Sequence, residues 1–222
     1  MTDNAPLIVF SGTHEKNGQT TLALNIAAAL WQDKYQVLLA PQNNSDLADF
    51  VQKRKEFAKN IFLPQLYPNK QEENQVVIAD IGNEDASDNM EFFNNAHTLI
   101  TVVNTENDIE WSPNGKYLNF VWNIKKNQAA HGRKYLNWIV VPNLNAPNTK
   151  ISIEQLKTTE RKFGYRLAPT INYRKEYQIT DKCLLPAEMV SDSLKNQMTF
   201  AEVYARREIL ELAGFIWQPA NM

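Results

Sequence analysis

The segment LIVFSGTHEKNGQTTLALNIAAAL, residues 7–30, decides the fold class of this 222-residue chain. Residues 7–10 are all apolar, and an uninterrupted run of this kind is typical of a strand buried on both faces of a parallel sheet. After a polar loop, residues 20–31 carry Leu22, Leu24, Ala27 and Leu30 at spacings that predict a helix covering the sheet. A strand, a loop and a helix in this order predict the start of a β-α-β unit.

Four more short apolar runs, at residues 37–40, 76–79, 99–103 and 138–141, predict further strands of the same kind. Amphipathic stretches predict a polar helix that includes residues 47–57, and later helices at 153–163 and 200–213. Residues 67–75 are polar and predict a surface connection. We therefore expect an α/β fold of three layers, in which a mostly parallel, twisted sheet is flanked by helices.

Length and charge narrow the classes of protein that the chain can belong to. Its 222 residues are enough for one substantial core and few for two, so we expect a single domain over residues 1–222. A net charge of −2 argues against a polybasic nucleic-acid or membrane-surface protein, and the single Cys183 excludes an internal disulfide. No basic segment precedes the first apolar run, and no apolar stretch approaches the roughly 20 residues that span a bilayer. These features predict a cytoplasmic protein without membrane insertion.

The loop after the first predicted strand, residues 11–21, has the place and length of a phosphate-binding loop, and we call it the phosphate loop. Gly18 would let the backbone approach a phosphate, helix N–H groups would face the anion, and Thr20 would offer its hydroxyl to Mg²⁺. Gln19 stands where such loops have a lysine, and its amide carries no positive charge. A plain strand–helix turn with an N-capping threonine explains the same residues equally well.

Residues 18–30 resemble the phosphate loop and first helix of the ParA/MinD family of deviant P-loop ATPases, and residues 76–82 resemble their Walker B strand. The resemblance spans most of the chain, and within the family the chain is most similar to the MipZ ATPases, which position the bacterial division site. It implies that Thr20 coordinates Mg²⁺, that Asp80 is a carboxylate in the outer shell of that ion, and that Asn143 contacts adenine. The nucleotide-binding residues that it implies are Gly12, Thr13, His14, Lys16, Asn17, Gly18, Gln19, Thr20, Thr21 and Asn143.

The sequence departs from the family at the residues that carry the chemistry. The two family lysines of the phosphate loop align with His14 and Gln19, and residues 39–43, LAPQN, lack the carboxylate that activates water. Phosphoryl transfer depends on positioning and on neutralising charge, and single contacts of this kind contribute about 3–4 kcal/mol. We therefore expect no catalytic residue, little or no hydrolysis, and binding of ATP and Mg²⁺ that is weak or lost.

The resemblance implies a protein of chromosome or plasmid partitioning, or of division-site positioning. With the catalytic residues missing, we expect it to act through a protein partner of the segregation or division machinery, with homodimers and nonspecific DNA binding as further properties of the family. A divergent but active Mg-ATPase that dimerises with nucleotide is the alternative, in which Lys16 replaces the missing lysine. A ligase similar to dethiobiotin synthetase is a third hypothesis, based on Gly12, Thr13, Gly18 and Thr20.

Five other groups of residues need an interpretation. Residues 53–55 with Lys59 predict a solvent-facing side of a helix, and the apolar residues 212–217 predict a terminal helix packed on the sheet. The carboxylates Asp181 and Glu188 form no catalytic pattern. Aromatic residues between the fourth and fifth strands form either an exposed surface or, as we favour, core beneath a long crossover: Trp111, Tyr117, Phe120 and Trp122. Basic residues that could combine into a DNA-binding face are Arg133, Lys134, Arg161, Lys162, Arg166, Arg174, Lys175, Arg206 and Arg207.

Overall fold

The computed structural model describes residues 6–12, 17–32, 35–42, 45–57, 65–66, 75–81, 89–104, 115–132, 136–144, 153–172, 174–178, 185–188 and 198–217. The strands are Leu7–Gly12 (β1), Gln36–Gln42 (β2), Gln65–Leu66 (β3), Gln75–Ile81 (β4), Thr98–Asn104 (β5), Asn137–Leu144 (β6), Arg166–Leu167 (β7) and Ile171–Asn172 (β8). The α-helices are Gln19–Gln32 (α1), Ser45–Phe57 (α2), Met90–Asn95 (α3), Lys116–Ala130 (α4), Ile153–Phe163 (α5) and Phe200–Trp217 (α6). Two 3₁₀ turns, Lys175–Tyr177 and Pro186–Glu188, lie between β8 and α6.

The described strands form one parallel sheet in the order β3-β2-β4-β1-β5-β6-β7, with β8 also paired to β6. Strand β1 lies at the centre, and its Phe10 is paired with Asp80 of β4 and Ile100 of β5. All five predicted strands are confirmed, as is their parallel arrangement. The two-residue strands β3, β7 and β8 were not predicted, because two residues are too few to show a period.

Alternate residues of each strand enter two separate cores, which make up the three layers. Ile8 and Phe10 of β1 pack on the face covered by α1, α2 and α6, whereas Val9 packs on the face covered by α3, α4 and α5. Residues 22–30 of α1 are all buried, because α6 and the 3₁₀ turn at 186–188 cover the side of this helix that faces away from the sheet. The expected α/β fold, with helices on both faces of a parallel sheet, is confirmed.

Helices α3 and α4 were not predicted, but the aromatic residues of α4 lie where we favoured them. Tyr117, Phe120 and Trp122 are partly buried against the core beneath α4, and Phe120 meets Phe93 of α3 edge to face, with ring centroids 5.2 Å apart. Trp111 lies outside the described residues. The terminal helix α6 is packed into the core, but it lies on α1, through residues such as Ile209 and Leu212, and not directly on the sheet as we expected.

The expectation that residues 53–55 face solvent is wrong for Arg54. Its side chain is 1% exposed, forms an ion pair with Glu188, and lies over the ring of Phe50. We call residues 185–188 the clasped turn, because α1 also holds it: Asn25 accepts a hydrogen bond from Ala187 N (3.3 Å), and Gln32 donates to Ala187 O (2.8 Å). Helix α2 therefore turns one of its basic residues inward, while Lys53 stays exposed.

None of the helices in the described ranges is long and apolar enough to cross a bilayer. A single domain over residues 1–222 and a cytoplasmic location stay predictions. The carboxylate Asp181 lies outside the described residues, and Glu188 pairs with Arg54, so it has a structural role.

Candidate functional site

The sequence-predicted site residues converge at the carboxyl end of the central strand β1, where α1 begins. Gly12 ends β1, Gly18 directly precedes α1, and Gln19 is its first residue. Strands β4 and β6 bring Asp80 and Asn143 to the same edge of the sheet. Three further predicted residues, Thr13, His14 and Lys16, lie outside the described residues.

The side chain of Gln19 extends from the start of α1 toward strands β1 and β4 of the sheet. Its Nε2 donates to Asp80 Oδ1 at 2.6 Å and also lies near the carbonyl oxygens of Ile81 (2.8 Å) and Phe10 (3.2 Å). An amide nitrogen has two hydrogens, so these three acceptors share them, and the bond to the carboxylate is the strongest because its acceptor is charged. The residue is 8% exposed. At the position of the family lysine, the chain therefore carries a neutral side-chain amide, and its N–H groups donate to other groups of the protein.

Asp80 has no exposed surface, and its position follows from the pairing of β1 with β4. Thr20, the other predicted Mg²⁺ ligand, is half-buried in the first turn of α1. Both are oxygen donors of the kind that Mg²⁺ uses, but this ion keeps several of its waters and requires nearly ideal octahedral geometry. Oδ1 of the fully buried Asp80 already accepts from Gln19 Nε2, so a water ligand of Mg²⁺ would have to displace this amide to donate to that oxygen. Within the described ranges, no three His, Cys, Asp or Glu residues gather into a metal-binding group.

Asn17, which precedes α1 by two residues, is buried, and both ends of its amide form hydrogen bonds. Its Oδ1 accepts a hydrogen bond from Gln19 N at 3.0 Å, and its Nδ2 donates to the carbonyl of Val102 in β5 at 3.1 Å. The amide lies so close to Gly12 that a Cβ at that glycine would come within 1.8 Å of Nδ2. Gly12 is therefore needed for the packing of Asn17, whatever its relation to a nucleotide.

Asn143 of β6 contacts the two residues that precede α1. Its Nδ2 donates to the main-chain oxygen of Asn17 at 2.6 Å, and a Cβ on Gly18 would come within 2.5 Å of the same nitrogen. Gly18 has φ +87°, a left-handed conformation that favours glycine. The adenine contact expected of Asn143 stays a prediction; in this structure its amide is bonded to the phosphate loop.

The interpretation that a threonine caps the start of α1 names the wrong residue. Helix α1 begins at Gln19, so Thr20 and Thr21 lie inside its first turn, and the Thr21 carbonyl accepts a hydrogen bond from Asn25 Nδ2 (2.9 Å). The side-chain acceptor at the helix start is Asn17 Oδ1. An asparagine side-chain oxygen commonly accepts a hydrogen bond from the N–H two residues later, which forms a side-chain turn. The sequence shows this spacing between Asn17 and Gln19.

Of the described residues in this cluster, Asp80 is the one with a formal charge. Its neighbours are amides and backbone carbonyls, which satisfy one another at distances of 2.6 to 3.2 Å. The arrangement is a closed hydrogen-bonded cluster that joins β1, β4, β5, β6 and α1. None of the described side chains in this cluster carries a positive charge that could contact a phosphate.

Comparison with known proteins identifies the family and the fold. The model of the family described as "ATPase MipZ" matches residues 63–216, well over half of the chain. A variant of McdA from Cyanothece, solved as an ATP complex, superposes with a TM-score of 0.61 at 13% identity, covering 95% of each chain. A ParA family ATPase from Chlorobium tepidum gives 0.56 at 14% identity, covering 96% of this chain and 98% of the other.

A third similar structure, the MinC:MinD cell division complex of Aquifex aeolicus, gives a TM-score of 0.54 at 12% identity and covers 98% of each chain. At these identities the similarity establishes the fold, which is that of the ParA/MinD P-loop ATPases. No match is found among the curated proteins.

Proposed function

This chain belongs to the family of the ATPase MipZ, and from that premise we propose that it acts in partitioning or division-site positioning by binding a protein partner, without hydrolysing ATP. The observation that carries the proposal is the 2.6 Å hydrogen bond from Gln19 Nε2 to Asp80 Oδ1. This bond joins the residue at the position of the phosphate-binding lysine to the carboxylate expected to serve Mg²⁺, so both groups are already engaged.

The electrostatics of the site support the absence of hydrolysis. In phosphoryl transfer the protein must neutralise charge that spreads over the transferring group. The first residue of α1 supplies a neutral amide for this purpose, and residues 39–43 contain no carboxylate. Each missing contact costs about 3–4 kcal/mol of transition-state stabilisation, and one such loss lowers the rate by about 10²–10³-fold.

Three of the arginines considered for a DNA-binding face are engaged by other side chains of the protein, which weakens the case for DNA contact through them. Arg174 pairs with Glu208 and Arg207 with Glu211, so the charges of both are offset by a carboxylate. Arg166 stacks on Phe215, with its guanidinium carbon 4.3 Å from the ring centroid. Arg133 and Lys134 lie outside the described residues. A homodimer, as in the family, stays part of the proposal.

Weak or absent nucleotide binding is the second part of the proposal. A related protein was solved as an ATP complex and another with a cell-division partner. We infer that this chain has kept the partner-binding use of the fold, while its phosphate loop serves the structure. The active-ATPase alternative depends on Lys16, which lies outside the described residues, and no observation here favours the ligase.

The proposal is tested by titrating the purified protein with a fluorescent ATP analogue, with and without Mg²⁺, and by measuring phosphate release. The variant Gln19→Lys places an ammonium group beside Asp80, and Gln52→Lys, on the exposed side of α2, adds the same charge elsewhere. We expect no Mg²⁺-dependent micromolar binding and background phosphate release for the natural protein and for Gln52→Lys. Micromolar Mg²⁺-dependent binding with turnover by the natural protein would overturn the proposal in favour of an active ATPase.

A further inference from the structure

We propose that the outer face of α6 is a self-association surface, through which two copies of this chain pair their α6 helices antiparallel. The surface consists of six residues, which we call the α6 seam: Phe200, Val203, Arg207, Leu210, Gly214 and Trp217. The inference rests on the function proposed above and deepens its homodimer, because it names the surface and requires no nucleotide.

The six residues of the α6 seam recur at alternating intervals of three and four residues along the helix. This heptad spacing aligns side chains in a single row and is the pattern of helices that pair with another helix. The opposite side of α6 is buried in the core through Ile209, Leu212 and Ile216. Five of the six seam residues are exposed, and Leu210 is partly buried, so the seam lies on the side of α6 that faces away from the protein.

Exposed apolar side chains are concentrated on α6. The described part of the chain exposes five large apolar side chains, and four of them lie on this helix. Phe200 is 85% exposed and Val203 is 45% exposed at one end of the seam. At the other end Trp217 is 36% exposed, and its ring contacts that of Tyr35, with centroids 4.7 Å apart. Burial of these groups against a partner is favourable, because it removes apolar surface from water.

The seam is self-complementary when α6 is paired antiparallel with a copy of itself, which identifies a second copy of this chain as the partner. A pair centred between residues 208 and 209 sets Phe200 opposite the partner's Trp217, and Val203 opposite the partner's Gly214. The two aromatic rings can stack on one another. A Cβ built on Gly214 meets no atom within 4 Å, so the partner's Val203 has room there. Because a dimer of this kind has two-fold symmetry, each contact occurs twice.

The charges at the middle of the seam favour the same arrangement. Arg207 Nε donates to Glu211 of its own helix at 2.6 Å, and both side chains are exposed. In the antiparallel pair Arg207 lies level with the partner's Glu211, and a guanidinium has enough N–H donors to bind both carboxylates. In a parallel pair Arg207 would instead face the partner's Arg207, and like charges repel. A charged residue at one core position of paired helices fixes their register.

The first test measures self-association of the purified protein without nucleotide, by sedimentation velocity at about 1 to 100 µM. We expect the natural protein to form dimers as its concentration rises. Phe200→Ser should raise the dimer Kd about tenfold or more, because each dimer loses two aromatic contacts. Asn119→Ser, on the exposed side of α4, is the control and should leave the Kd unchanged. A natural protein that stays monomeric throughout this range would overturn the proposal.

Charge reversal tests the antiparallel arrangement. Arg207→Glu sets its new carboxylate level with the partner's Glu211, and Glu211→Arg sets two guanidinium groups level with each other. Each variant alone should therefore associate at least about tenfold more weakly than the natural protein. When the two variants are mixed in equal amounts, a heterodimer has opposite charges at both places, so association should return. Association that stays equally weak after mixing would overturn the arrangement.

Disulfide cross-linking gives a second readout of the register. Val203→Cys combined with Gly214→Cys, in a Cys183→Ser background, should form covalent dimers on mild oxidation. The two positions are about 16 Å apart along one helix, too far for a disulfide within one chain. Lys116→Cys combined with Asn127→Cys has the same spacing on the exposed side of α4 and should form none. Cross-linking by Val203→Cys alone, as efficient as by the pair, would indicate parallel helices and contradict the proposal.

The two proposals fail in different ways. If neither dimers nor cross-links form, the role of the α6 seam is wrong while the lack of hydrolysis stands. If the natural protein binds the ATP analogue with Mg²⁺ and hydrolyses ATP, while the cross-links through α6 form without nucleotide, the proposed function is wrong and the seam stands.

Discussion

The buried ion pair between Arg54 and Glu188 gives the sharpest stability prediction, and the perturbation is Arg54→Met. The two side chains are 1% and 2% exposed, so removal of the guanidinium leaves a carboxylate in the core without its cation. Loss of one partner of such a pair costs about 3–5 kcal/mol. For a chain of this size each kcal/mol lowers the melting temperature by about 2–4 °C, so we expect a decrease of roughly 6–20 °C.

The assay is equilibrium unfolding in urea at neutral pH, supported by calorimetry. Arg54→Met is compared with Glu188→Leu, with the double variant and with the control Lys53→Met, which changes the exposed neighbour on α2. The double variant replaces the pair by apolar groups of similar size, a change that is often neutral or stabilising. It also removes the acceptor of the Leu185 N–H, which lies 3.2 Å from the carboxylate, so we expect it to remain about 1 kcal/mol below the natural protein.

Two results would refute this reasoning. A loss below about 1 kcal/mol for Arg54→Met would mean that the pair contributes no more than an exposed one. Strict additivity of the two single variants would mean that their charges are not coupled. Lys53→Met should change the free energy of unfolding by less than about 0.5 kcal/mol.

Three further predictions concern the phosphate loop, α6 and the clasped turn. Gly18→Ala should cost about 1–3 kcal/mol in urea unfolding, because φ is +87° and its Cβ would meet Asn143; a neutral result would contradict this geometry. Burial raises the pKa of Glu208, but hydrogen bonds, above all from Arg174, outweigh it and lower that pKa below its ordinary value of 4.5. A carboxylate whose pKa is lowered by folding stabilises the fold at pH values above its ordinary pKa, and this stabilisation is lost on acidification. At pH 7 the free energy of unfolding of the natural protein should therefore exceed that of Glu208→Gln by up to about 1 kcal/mol. Urea unfolding at pH 7 and pH 3 should show this difference shrinking, and a constant difference would contradict it. Asn25→Ala removes the acceptor of a clasped-turn N–H and should cost about 1–3 kcal/mol by thermal unfolding; an unchanged melting temperature would show that the contact is dispensable.

The sheet could be predicted because each strand carries its own signal. Runs such as 76–79 and 99–103 are apolar throughout, and burial on both faces of a parallel sheet is the physical reason for such runs. Helix α4 was missed although its sequence carried a signal, because Leu118, Val121 and Ile124 recur every three residues, a helical spacing. These three residues are buried in the core beneath α4, and the aromatic residues of the helix are partly buried beside them.

The site could be placed by the sequence but not described by it. Residues 11–21 predicted where a phosphate loop would lie, and the loop does join β1 to α1 at the carboxyl edge of the sheet. The sequence did not indicate that Gln19 bonds to a residue 61 positions away, because that contact depends on the register of β1 with β4. Nor did it indicate that Asn17 supplies the acceptor at the start of α1.

The sequence by itself determined the α/β class, the parallel strands and the resemblance to the ParA/MinD family, because these follow from local periodicity and the order of motifs. It also determined that the lysine and the second-strand carboxylate are absent. Only the tertiary structure decided which contacts the polar residues make: Gln19 donates to Asp80, Asn17 supplies the acceptor at the start of α1, and Arg54 of α2 is buried against Glu188. Such polar contacts depend on which groups distant segments bring within about 3 Å, and a hydrogen bond forms only at that separation.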